Sequence, residues 1–379
     1  MTVTNNILFT PVRIGRVIVP NRFARSATQD FLATEDGQIT EAQRRLYGRL
    51  AEGEVGLILT GHSYVHPAGK ASPRQIASYD DRFLPGLASL AEAVHRTPSK
   101  IFLQIAHAGR QTRPKIFLQI AHAGRQTRPK DCGCTPLAPS AVFEPTTKVM
   151  PRVMSDGDIR QTIDDFSRAA ARALKAGFDG VQLHLAHGYL LSSFLSPYTN
   201  RRTDDWGGPL ANRLRIVLDI LRAIKGGLDA GFPVIAKMNS SDFLAGGLTP
   251  EECLEAARRL EAEGLDGLEI SGGMAEAGRG SMWPGLRDED EEGYFVEAAS
   301  RVKAAVKIPV FGLGGIRSLS AMARIIRQGR ADLISMSRPF VREPDLVRRL
   351  RLGLTLKSEC ISCNKCLNPR GLRCAELKN

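Results

Sequence analysis

The stretch DIRQTIDDFSRAAARALKAGFDGVQLHLAH, residues 158–187, contains one helix followed directly by one strand. Ile159, Ile163, Phe166 and Ala170 recur at helical spacing on one face, and Gly177 stops the pattern. FDGVQLHLAH, from Phe178, then reads as a short buried strand. A second helix of the same kind lies downstream, in TPEECLEAARRLEAEG. It opens with Thr249 as a cap, Pro250 in the first turn and Glu252 at the capping-box position, and it ends at Gly264. Working outward, strand-like segments begin at Asn21 (NRFARSAT), Val55 (VGLILTGH), Ile101 (IFLQIAH), Pro233 (PVIAKMNSSD), Leu265 (LDGLEISGG), Pro309 (PVFGLGG) and Ala331 (ADLISMSRP). Eight strands alternating with helices predict an α/β fold with a parallel sheet. The count of eight favours a closed (β/α)8 TIM barrel over a doubly wound sheet, which would want a G-x-G-x-x-G turn after its first strand. No such turn is present. The barrel is expected over residues 1–350, followed by a short Cys-rich extension over 351–379.

The 379-residue chain, of 41.3 kDa, is 43% hydrophobic and 24% charged, enough to bury a sizeable core. No apolar run approaches the roughly 18 to 20 residues that cross a bilayer. The N-terminus has no basic region followed by an apolar stretch, so neither a secretory signal nor a membrane partner is expected, and the location predicted is cytoplasmic. Fifty-two basic against 40 acidic residues give a net charge of +12. The basic residues are spread along the chain without a block or tail, which argues for anionic small molecules over nucleic acid. The composition leaves the oligomeric state open, a homo-oligomer included.

KIFLQIAHAGRQTRP, residues 100–114, recurs without a change as residues 115–129. Two identical copies of 15 residues do not make a solenoid, and one copy alone can fill the third strand. The loop upstream of the first copy has ordinary length, which favours Gln104 over Gln119; the segment CTPLAPSAV downstream follows the second copy.

Chemistry gathers where a barrel places it, at the C-terminal ends of the strands. Strand four ends in His184 and His187, followed by Tyr189. Strand five carries Lys237, strand seven ends in Gly312, Gly314 and Gly315, and strand eight ends in Arg338. A glycine-rich turn after strand seven with an arginine after strand eight is the usual phosphate site of this fold.

The run HLAHGYLLSSFLSPYTNRRTDDWGGPLANRLR, from His184 to Arg215, resembles the signature of the Old Yellow Enzyme family of FMN-dependent ene-reductases. LFTPVRIGRVIVPNRFARSAT, FLQIAHAGRQ and ADLISMSRPFVREPDL are similar to the same family, so the resemblance spans about Leu8 to Leu350. It implies FMN across the barrel mouth, NAD(P)H as reductant, and activated alkenes as small-molecule substrates. Ser26, Ala27 and Thr28 are expected near the flavin ring, Gln104 on its pyrimidine edge, and Lys237 as the cation beside the reduced ring. Gly314, Gly315, Ser337 and Arg338 are expected around the phosphate. Gln29 stands where relatives often carry Cys or Thr. His184 and His187 would donate hydrogen bonds to a carbonyl or nitro oxygen, and Tyr189 would protonate the α-carbon.

Cys360, Cys363, Cys366 and Cys374 resemble the iron–sulfur segment of larger relatives such as trimethylamine dehydrogenase, with a shorter final gap. A cluster, zinc or free thiols remain the alternatives. The resemblance thus leaves a dienoyl-CoA-reductase-like or amine-dehydrogenase-like enzyme as the second reading. An RNA-modifying flavin barrel, or a barrel disabled by the duplication, stands behind it.

Overall fold

The fold is described from a computed structural model that covers residues 7–111, 135–145, 148–229, 231–278, 280–366, 368 and 371–377. The second copy, residues 115–129, lies outside the described residues, and Gln119, Cys132 and Cys134 lie there too.

Eight parallel strands follow the expected segments: β1 (Phe23–Arg25), β2 (Leu57–Leu59), β3 (Lys100–Ala106), β4 (Gly180–Leu185), β5 (Val234–Asn239), β6 (Gly267–Ser271), β7 (Val310–Gly312) and β8 (Leu333–Met336). Each pairs with its neighbour in chain order, and β8 pairs with β1, which closes the barrel. The first copy of the repeat therefore fills strand three. Its register sets Gln104 beside Gln182 on β4. Lys237 on β5 stands beside His184 on one side and Glu269 on the other.

Among the described residues, seven helices of nine residues or more bury one face each against this sheet: α1 (Glu41–Glu52), α2 (Leu84–His95), α3 (Asp156–Lys175), α4 (Leu210–Gly227), α5 (Pro250–Ala262), α6 (Val296–Ala305) and α7 (Leu319–Arg327). The starts of α3 and α5 are fixed by capping boxes, Ser155 with Asp158 and Thr249 with Glu252. Each box satisfies donors that the first helical turn leaves without partners.

Two apolar layers result. The outer layer lies between strands and helices. The inner one fills the lower barrel with Ala24, Leu57, Leu59, Phe102, Ile235, Phe311 and Leu333. Ile14 and Val19 join it from an N-terminal hairpin, Val12–Ile14 with Val17–Val19, which packs against the bottom of the barrel. The lower barrel is thus a packed core, and the main cavity opens above it.

The Cys-rich segment returns to the upper rim. Leu319 N donates to Leu356 O at 2.8 Å, and Ser358 N donates to Arg317 O at 3.0 Å. Asn364 Nδ2 reaches Met282 O at 3.2 Å. No helix among the described residues is long and apolar enough to cross a membrane.

Candidate active site

At the C-terminal end of the strands an open cavity holds about 1070 Å³ of empty space, solvent at its mouth included. That is the scale of a site for a cofactor-sized ligand. Ser26, Ala27, Thr28, Gln104, His184, His187, Tyr189, Lys237, Gly314, Gly315, Ser337 and Arg338 all line it. Residues from six strands or the loops after them therefore meet in one place, as the sequence reading required.

The imidazoles crowd one wall. The His184 and His187 rings lie 5.4 Å apart between centroids, and the Tyr189 ring lies 4.6 Å from His184. His187 adopts φ +62, a left-handed backbone that a non-glycine residue holds at a cost of about 1 kcal/mol or more. Gln111 secures that turn by donating from Nε2 to His187 O at 2.8 Å, and His187 N donates to Asn239 Oδ1 at 3.2 Å. The result aims the His187 ring at the pocket, with Nε2 2.7 Å from Ser271 Oγ.

Both histidines are held neutral. Burial, then the neighbouring His187, His62 and Lys237, push His184 well below its ordinary value. Burial, then Lys237 and His62, bring His187 down to about 3. A neutral imidazole offers one N–H and one lone pair. His184 Nδ1 is buried and finds no partner among the described residues, so the wall holds a polar atom that a ligand could satisfy.

At the opposite end, Gly314 and Gly315 adopt φ +121 and +72. A Cβ on Gly314 would stand 2.8 Å from Tyr294 N, and one on Gly315 would stand 2.1 Å from Leu286 Cδ1. Only glycine fits there. Among the described residues, neither glycine amide donates to another backbone group. Two such N–H groups beside a guanidinium form a cradle for an anion. Arg338 is already partly engaged, donating from Nη1 to Trp283 O at 2.8 Å and Asn364 Oδ1 at 2.6 Å. The Cys-rich segment thereby helps to hold this arginine.

Four groups that the sequence reading passed over belong here. His62 lies after β2, its ring 5.3 Å from that of Tyr189. Gln182 and Glu269 point inward from β4 and β6, in register with residues that were singled out. The Tyr294 ring lines the pocket beside Gly314 and stacks on Trp283 at 4.2 Å. Strand alternation was the available signal for Gln182, since it lies two residues before His184 and so faces the same side. Gln29 also lines the pocket; its Nε2 donates to Ser72 Oγ at 3.0 Å, and its buried Oε1 has no partner among the described residues.

Cys360, Cys363, Cys366 and Cys374 are free thiols that line a second, smaller cavity, with Arg338 in its wall. Among the described residues, no three metal-capable side chains gather closely enough to hold one ion.

Residues 7–357 match the NADH:flavin oxidoreductase / NADH oxidase family. The chain belongs to that family. It is 36% identical over 359 residues to an NADH oxidase of Thermoanaerobacter brockii, an alignment that takes in 94% of this chain and 52% of the relative. It is 32% identical to an NADPH dehydrogenase of Geobacillus sp. strain WCH70, covering 89% of this chain and 92% of that one. Among solved structures, an Old Yellow Enzyme homologue from Zymomonas mobilis superposes with a TM-score of 0.79 at 26% identity, covering 96% and 98% of the two chains. The chain thus spans about half the length of one relative and nearly all of two others. Family membership brings FMN as the cofactor, and the cavity fits it: an anion cradle at one end, a buried cation and amide in the floor, and imidazole donors on the wall.

Proposed function

We propose that this chain is an NAD(P)H-dependent flavin ene-reductase, reducing the activated C=C bond of α,β-unsaturated carbonyl or nitro compounds. One observation carries the reading: two neutral imidazoles and a phenol share a wall above a floor that holds Lys237 and Gln104. FMN, when bound, supplies the hydride that reduces the β-carbon, having been reduced by NAD(P)H.

The chain's own residues account for the rest. Gly314, Gly315 and Arg338 would hold the phosphate, with Ser337 beside them. Ser26, Ala27 and Thr28 would border the ring, and Lys237 would place positive charge where the reduced ring becomes anionic. His184 and His187 donate to the substrate oxygen. Because both are neutral, they polarise that oxygen without giving up a proton to it. Tyr189 holds at its hydroxyl the proton that the α-carbon takes up.

An absorption spectrum of the purified protein, followed by titration with an anionic phenol, tests this reading. Non-covalent FMN and a long-wavelength band with the phenol are expected. The double variant His184→Ala, His187→Ala should lose the phenol band and keep FMN. Equal phenol affinity in parent and variant would remove both histidines from oxygen binding, and an apoprotein that takes up no FMN would refute the reading altogether.

A second reading draws on the four thiols around one cavity, the donor set of an iron–sulfur cluster. In that reading Cys360, Cys363, Cys366 and Cys374 would hold the cluster, which would supply one-electron transfer. Among the described residues the thiols do not gather around one ion. Iron and labile sulfide analysis separates the two readings.

A further inference from the structure

Beneath the pocket lies a buried polar chain centred on Glu269, a residue with none of its surface exposed. Its Oε1 accepts from Ser26 Oγ and Ser335 Oγ, each at 2.7 Å, and lies 3.5 Å from Lys237 Nζ. Its Oε2 accepts from Gln182 Nε2 at 2.9 Å. Gln182 Oε1 in turn accepts from Gln104 Nε2 at 2.7 Å. One carboxylate thus ties together β4, β5, β8 and the end of β1, and reaches β3 through Gln182.

Burial alone would push the Glu269 carboxyl up. Lys237 and the hydrogen bonds from Ser335, Ser26 and Gln182 outweigh burial and hold it below its ordinary value. The group is therefore ionised at neutral pH, and an ionised carboxylate can only accept hydrogen bonds. That constraint propagates. Gln182 must turn its NH2 towards Glu269, which leaves its oxygen for Gln104. Gln104 must then spend its NH2 on Gln182, and its own Oε1 remains as an acceptor for the pocket. Ser26 gives its proton to Glu269, so it can accept from Lys237 Nζ, 2.8 Å away.

We propose that Glu269 is a positioning residue, which fixes the acceptor at Gln104 and the cation at Lys237 that meet the flavin and offsets part of the Lys237 charge. The chemistry it selects is a ring edge carrying an N–H donor beside a carbonyl oxygen, as the pyrimidine edge of a flavin does. This inference rests on the FMN reading above.

The charge and the relay are separable. Glu269→Gln keeps the shape and removes the anion, so Lys237 should act unopposed on the reduced, anionic cofactor. The ratio of affinities for reduced over oxidised FMN should rise about tenfold, which for a two-electron couple is a midpoint potential about 30 mV higher. A merely structural role would weaken both forms equally. Gln182→Met keeps the anion and breaks the relay. The parent should prefer FMN over 3-methyl-FMN, which has no hydrogen at N3, and this variant should lose at least fivefold of that preference with the potential unmoved.

The measurements are titration of apoprotein with each flavin by fluorescence quenching, and the midpoint potential by equilibration with a reference dye. An unchanged potential in Glu269→Gln would overturn the charge role. An undiminished preference for FMN in Gln182→Met would overturn the relay, and that arm stands even if Glu269→Gln fails to fold. A parent that binds no flavin would refute the FMN reading first, before either variant bears on Glu269.

Discussion

The lower and upper halves of the barrel interior are built from the same strands, two residues apart. Phe102 is followed on its face by Gln104, Ile235 by Lys237, Leu333 by Ser335 and Ala24 by Ser26. Below, every inward side chain is apolar and its contacts are complete within the protein. Above, the positions that follow them are polar, beside apolar Ala27, Leu313 and Met336 in the pocket wall, and the polar set is satisfied in part by itself, through Glu269. His184 Nδ1 and Gln29 Oε1 are buried there without partners among the described residues. Burying such atoms costs roughly 1 to 3 kcal/mol each unless something bonds them. The lower half is therefore optimised for stability and the upper half for a ligand, and a substitution should reveal which half it touches.

The largest expected effect belongs to the lower half. Phe102 is fully buried among Ala24, Leu57, Ile235 and Phe311. Phe102→Ala should cost about 3–5 kcal/mol of unfolding free energy, read from urea denaturation. The fraction that stays folded should bind FMN within twofold of the parent. Flavin affinity lost in step with stability would mean that the two halves are not separate units.

Acid should act on the buried histidines around the upper half, since among the described residues the inner apolar layer below contains no titratable side chain. Burial, then His66, brings His107 on the β3 loop down to about 3, and His187 is lowered to a similar value. In the unfolded chain a histidine titrates near 6.5. Above that pH both states are neutral and stability does not depend on these groups. Below it the unfolded chain binds protons that the folded one refuses, so stability falls as pH drops from about 6.5 towards 3. Each such group contributes about 2 kcal/mol of loss between pH 6.5 and 5. Urea midpoints of the parent and His107→Gln at pH 7.5 and 5 isolate one of them: the variant should lose less on acidification. Identical losses would show that His107 takes up its proton in the folded state.

The fold was legible because its signals are local. The eight apolar segments each recur between helices, and the capping box at Thr249 lies within four residues. The third strand was legible too: the loop after α2 has room for the first copy, and Gln104 lies where that copy puts it. The convergence of Ser26, Gln104, His184, His187, Lys237 and Arg338 on one cavity was legible through their place at strand ends and their resemblance to a family. Glu269, Gln182 and His62 were not singled out, for a physical reason. An inward carboxylate acquires meaning only when the barrel closes and brings Ser26, Lys237 and Ser335 to it from three distant segments. Alternation marks Glu269 as inward, but nothing local says what it will meet. The role of Asn364 and Ser362, which accept from Arg338, was hidden likewise, because it depends on how the Cys-rich segment returns to the rim.

The effect expected at Tyr189 is read in kinetics alone, and it asks whether the upper half contains a proton donor as well as a binding wall. The Tyr189 ring stands 4.6 Å from His184 and 5.3 Å from His62, in the wall of the pocket. Reducing an alkene requires a proton at the α-carbon, whereas a quinone accepts electrons from the reduced enzyme without carbon protonation. Tyr189→Phe removes the hydroxyl and keeps the ring, so shape and burial are preserved. Reoxidation of the reduced enzyme by 2-cyclohexenone should slow about a hundredfold, at the low end of what a positioned general acid contributes. Reduction by NAD(P)H and reoxidation by a quinone should stay within about twofold. Stopped-flow traces of both acceptors, parent against variant, give the answer directly. Equal slowing with both would make Tyr189 a pocket-shaping residue, with the His184 and His187 wall distorted by its loss. No slowing with either would assign the proton to water entering from the open mouth, and the upper half would then bind and polarise its substrate without protonating it.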